Sequence, residues 1–142
     1  MNTIRSLLSL IALLAVVGCS DTVESRYSNR TEAEADSLFE RGWLPNIIPQ
    51  SSRAIVTKND LDINTSSGEF FFSPDDSVDF VRNLIGTRDP DQEYSSFTYS
   101  DNGATWFFEV NFAKGHCKYS MTYKRPTTSE QGGAANPAKP GG

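Results

Sequence analysis

From Ala104 to Phe112 the chain alternates, placing Trp106, Phe108, Val110 and Phe112 on one side and Thr105, Phe107, Glu109 and Asn111 on the other. Successive strand residues point to opposite faces, so this pattern predicts a half-buried β-strand. The run from His116 to Lys124 repeats it, with Cys117, Tyr119, Met121 and Tyr123 opposite His116, Lys118, Ser120 and Thr122. Ser95–Ser100 alternates with Phe97 and Tyr99 on one face, and shorter β-branched or aromatic runs occur at Arg53–Lys58 and Gly68–Ser73. Asp101-Asn102-Gly103 and Ala113-Lys114-Gly115 supply the turn residues that join three of these strands as hairpins.

Two stretches carry helical signals. In Thr31–Pro45, Thr31 and Glu34 have capping-box spacing, Ala35, Leu38 and Phe39 share a face, and Gly42 and Pro45 end the segment. In Ser73–Gly86, Ser73 is placed as N-cap and Pro74 at the first position, with Asp75 and Asp76 beside the positive end of the dipole. Capping accounts for those two aspartates without a metal. Val78, Val81 and Ile85 are expected on one side of this helix and Phe80 and Leu84 on an adjoining strip. The expected fold is α+β, a small antiparallel sheet of about five strands with two helices packed on one face.

The expected boundaries are residues 1–18, 19–30, 31–125 and 126–142: a leader, a tether, a globular domain and a tail. The tail, rich in Gly, Pro and Ala, lacks the large apolar residues that offset ordering entropy and is expected to be disordered. Ser20–Arg30 reads as a polar tether, which as a flexible coil spans roughly 18 Å.

At the N-terminus Arg5 precedes an apolar stretch, Leu7–Val17, that is too short for the ~20 residues a spanning helix needs. A positive start before a short apolar region has the shape of a secretory signal. Val16-Val17-Gly18-Cys19 resembles the lipobox of bacterial lipoproteins. The resemblance implies cleavage between Gly18 and Cys19, diacylglyceryl transfer to the Cys19 sulfur and acylation (commonly palmitate) of the new amine. Ser20, with no aspartate at that place, resembles the outer-membrane sorting pattern, which implies the periplasmic face of that membrane. Arg41–Asn64, "RGWLPNIIPQSSRAIVTKNDLDIN", is similar to a segment of uncharacterised small envelope lipoproteins patterned Gly-Trp-Leu-Pro…Asp-Leu-Asp-x-Asn. That second resemblance implies kinship and assigns no activity.

Loss of residues 1–18 takes the formal charge from −5 to −6, which makes nucleic acid or an anionic membrane surface a poor partner. With Cys19 committed to lipid, Cys117 is a lone thiol, and its apolar-face position predicts a core residue.

Three places could carry chemistry. The proline-stiffened loop with Trp43, Leu44, Pro45, Ile47, Ile48 and Pro49 either plugs the end of the core or presents Trp43, Leu44, Pro45 and Pro49 to a partner. Asp60, Asp62 and Asn64 open like a calcium loop, but Thr65 and Phe71 stand where Gly and Glu are required. A strand end with Leu61 and Ile63 inward is expected there, and a weak polar ligand site is the alternative. His116 adjoins Cys117 on the opposite face, so the two cannot form a nucleophile–base pair, and a surface position is expected for it. No phosphate loop, nucleophile elbow or zinc spacing is present in the sequence, and no catalytic residue, cofactor or metal is expected.

The sequence thus predicts a lipid-anchored envelope protein acting by non-covalent binding to periplasmic or outer-membrane partners. A small-ligand or weakly hydrolytic domain using His116 with Asp60, Asp62 and Asn64, or a periplasmic enzyme inhibitor, is the alternative.

Overall fold

A computed structural model describes residues 21–124. The leader, the Gly18–Cys19 junction, Ser20 and the 126–142 tail lie outside the described residues. The elements run β1 (Thr22–Asn29), α1 (Arg30–Ala35), β2 (Arg53–Asp60), β3 (Thr65–Phe71), a 3-10 turn (Pro74–Asp76), α2 (Ser77–Val81), β4 (Ile85–Gly86), β5 (Ser95–Asp101), β6 (Ala104–Asn111) and β7 (His116–Tyr123). All seven strands form one antiparallel sheet in the order β1-β2-β3-β7-β6-β5-β4. Two meanders, β1–β3 and β5–β7, meet where β3 pairs with β7, and the chain between them returns through α2.

The second meander follows its sequence pattern. Trp106, Phe108 and Val110 are buried on one face while Phe107 and Glu109 are exposed on the other. Asn102 and Gly103 both have positive φ, 48° and 82°, as a two-residue turn matched to strand twist requires. The core face collects Phe70, Phe97, Trp106, Phe108, Cys117 and Tyr119, against which Ala33, Leu38, Leu44, Ile48 and Phe80 pack. Phe80 meets Phe70, Phe72 and Phe108 edge-on, with ring centroids 6.0, 5.6 and 5.6 Å away.

The architecture is therefore mostly β, and the expected α+β class with five strands and two packed helices is wrong. Residues 22–29, expected in a tether, form the edge strand β1: Tyr27 is buried while Glu24 and Arg26 pair on the outer face. Asn29, and not Thr31, caps α1; its side chain accepts the Glu32 N–H at 3.0 Å, and Glu32 returns a carboxylate to the Ser28 N–H at 2.7 Å. The helix ends at Ala35, which is exposed, and turns continue to Gly42 at φ +77°.

The second expected helix shrinks to a 3-10 turn and five residues. Ser73 makes no side-chain cap; its N–H donates to Ser51 Oγ at 2.9 Å, and that hydroxyl donates to Asp76. Val78 faces solvent and Ile85 joins β4, so Phe80 is the one deeply buried apolar residue of this element and no apolar stripe sustains more turns. The layer over the core face is consequently loop for the most part, and the other face of the sheet is open.

Candidate functional site

Residues 36–52 form the covering loop, and Arg30 fixes it. This arginine is 4 % exposed, yet each of its three guanidinium nitrogens has an acceptor. Nη1 donates to the Ile48 carbonyl at 2.7 Å, Nη2 to the Asn46 carbonyl at 3.3 Å and to the Asn46 side chain, and Nε to Glu34 at 2.9 Å. The planar group also lies over the Phe39 ring, 4.7 Å from its centroid. A second tie is the Trp106 indole N–H, which donates to the Trp43 carbonyl at 3.3 Å. Outside these, Tyr27 O–H donates to Asp36 at 2.6 Å, and Arg41 pairs with the same carboxylate at 2.7 Å. These two donors hold the Asp36 carboxyl below its ordinary pKa.

Held in this way, the loop stands off one end of the sheet and leaves a cleft of about 410 Å³. Tyr99, Trp106 and Met121 contribute from the core face, and Phe39, Arg41, Asn46 and Ile47 from the loop. Asn64, Asp101, Asn102 and Tyr123 line it from the adjoining turns and strand ends. Tyr99 and Trp106 lie 5.8 Å apart, centroid to centroid. Aromatic walls with a few polar groups of both charge signs suit an occupant with an apolar body and a polar margin. The arrangement can bind; it brings no nucleophile together with a base.

The open face holds the other cluster. His116 is 7 % exposed, which corrects the surface position expected for it. Phe71 stacks on its ring at 4.5 Å, and Tyr94 approaches edge-on at 5.9 Å. Nε2 lies 3.2 Å from Glu69 and Nδ1 2.9 Å from the Tyr94 hydroxyl. A carboxylate only accepts, so in the neutral ring Nε2–H donates to Glu69 and Nδ1 accepts from Tyr94. Both nitrogens are thereby occupied, and among the described residues no serine, threonine or thiol is hydrogen-bonded to the imidazole. Cys117, the next residue, is enclosed in the core, and burial pushes its thiol pKa well up.

The remaining candidates are separated. Leu44, Pro45 and Pro49 are buried and Trp43 is half-buried, so the loop plugs the end of the core and offers little of those four residues to a partner. Asp60 Oδ1 accepts the N–H groups of Asp62 and Ile63 at 3.1 and 3.2 Å, which makes it a turn-forming residue. The same turn exposes Leu61 and Ile63, against the inward orientation expected for them. Asp60 pairs with Thr65 at one end of β3 and His116 with Phe71 at the other, about 20 Å away at strand rise, so these two cannot share a ligand site. Only Asn64 of that set lines the cleft. Among the described residues no group of three His, Cys, Asp or Glu is placed to hold a metal ion. Sequence reasoning missed Arg30, Phe39 and Tyr99 as site residues; Tyr123 was on the right strand face but had no visible neighbour.

Residues 21–71 match the family model of the YbbD head domain, a bacterial envelope-related family. The match spans β1, α1, the covering loop, β2 and β3, and it includes Arg41–Asn64. No curated protein and no solved structure matches the chain.

Proposed function

We propose that the protein is a lipid-anchored component of the bacterial envelope, held through Cys19 on the periplasmic face of the outer membrane, that binds an envelope protein non-covalently in its aromatic cleft. The lipobox-like Val16–Cys19 supports the anchor, and the match at residues 21–71 supports the setting. The observation that carries the binding reading is the cleft itself: Tyr99, Trp106 and Tyr123 stand along it, and Arg30 keeps its loop wall in place without entering it. Catalysis is not part of this reading, because the one histidine is fully engaged on the opposite face of the sheet.

A photo-crosslinking side chain at position 123, compared with one at exposed Val78 on α2, tests it in intact envelopes. An adduct of discrete mass from position 123 and none from position 78 is expected. Equal adducts from both, or none from position 123, would contradict the cleft as the binding site.

The cleft volume also favours a second reading, since about 410 Å³ lies within the range of small-molecule sites. A thermal-shift series with cell-wall fragments distinguishes the two. A midpoint rise that Tyr99→Ala abolishes selects the small ligand.

A further inference from the structure

Between β2 and β3 the chain turns through Leu61, Asp62 and Ile63, and the two aliphatic side chains are 54 % and 67 % exposed. The turn does not depend on them, because Asp60 Oδ1 and the positive φ of Asn64 form it. The Leu61 N–H donates to the Asp21 carbonyl at 3.3 Å, so the start of the described chain lies against this tip. Val23, also exposed, follows one residue into β1. Cys19 precedes Asp21 by two residues, a reach of at most ~7 Å. The same end of the sheet carries Tyr99, Trp106 and Met121, hence the cleft, as the register of β5, β6, β7 and β3 shows.

We infer that the Leu61–Ile63 tip, with Val23, rests in the interfacial layer of the bilayer that receives the Cys19 lipid, so that the cleft lies at the lipid surface. This rests on the anchored reading above. Asp21, Asp60 and Asp62 surround the tip and disfavour anionic headgroups, so the surface it meets is zwitterionic phospholipid. The placement narrows what can reach the cleft to molecules lying on or projecting from that surface.

The test uses the full lipidated chain in phosphatidylethanolamine–phosphatidylcholine vesicles with brominated acyl chains. An Ile63→Trp variant is compared with Ala113→Trp, at the turn on the far end of the sheet, and with the unsubstituted chain as baseline for Trp43 and Trp106. Bromolipid is expected to quench the added indole of I63W by half or more and that of A113W no more than the baseline. Exchanging part of the lipid for phosphatidylglycerol is expected to reduce the quenching. Intact mass of the same preparation separates the two claims: an unmodified Cys19 overturns both the anchor and the placement. A lipidated chain with equal quenching at the two positions overturns the placement alone.

Discussion

Tyr119 and Cys117 lie two places apart on the core face of β7, and burial raises the pKa of each above the ordinary values of 10.0 and 9.0. The Tyr119 hydroxyl meets Ser66 at 3.0 Å, and Ser66 in turn donates to Asn59 at 2.7 Å, a polar chain sealed inside the sheet's core side. In the unfolded chain both groups release their protons near pH 9–10; in the fold they keep them. The unfolded state then binds fewer protons, so stability falls as pH rises through that window, by up to about 1.4 kcal/mol per pH unit for each group. Urea denaturation between pH 7 and 11 is expected to show a steep alkaline loss, shallower above pH 10 in Tyr119→Phe. Parallel curves for the two proteins would contradict it. Cys117 was legible as a core thiol from alternation alone. Arg30 was not, because a basic residue beside a helix start reads as surface until the carbonyls of Asn46 and Ile48 are known to surround it.

Among the elements, β5, β6 and β7 were readable because each carries strict alternation and the hairpin turns between them contain Gly at positive φ. β1 was hidden because an edge strand with one buried side chain, Tyr27, needs few apolar residues, and a polar run is all that shows. For α2 the start signals at Pro74–Asp76 are real, but a start does not set a length; burial does, and Val78 has none. The β2–β3 pair depends on a feature invisible in any pattern. Register shifts between Arg53 and Val56, where Ala54 has φ +47°, and the strands close so tightly that a Cβ on Gly68 would lie 1.9 Å from the Val56 carbonyl oxygen. Gly68→Ala therefore forces backbone apart in the middle of the sheet. Its cost, read from denaturant midpoints, is expected to exceed the ~1 kcal/mol of an ordinary substitution several-fold. A change within ~0.5 kcal/mol would mean that the strands are not so closely paired.

At the scale of the molecule, one sheet has two unlike faces. The loop and short helices cover one, and the other shows Phe71 and Phe107 to solvent and carries the Glu69–His116–Tyr94 chain, with the imidazole itself buried. The cleft could not be read from the sequence because its walls come from positions between Phe39 and Tyr123 that only packing unites. The proposed location rests on the sequence alone, on the apolar run ending at Cys19, which lies outside the described residues. Tip and cleft share one end of the sheet, the proposed anchor at Cys19 would join them there, and the account stands or falls with that anchor. Intact-mass measurement of the protein extracted from membranes tests it most directly. The account predicts a chain beginning at Cys19 and heavier than its residues by a diacylglyceryl group and an N-acyl chain; a free Cys19 thiol, or a leader still attached, would contradict it.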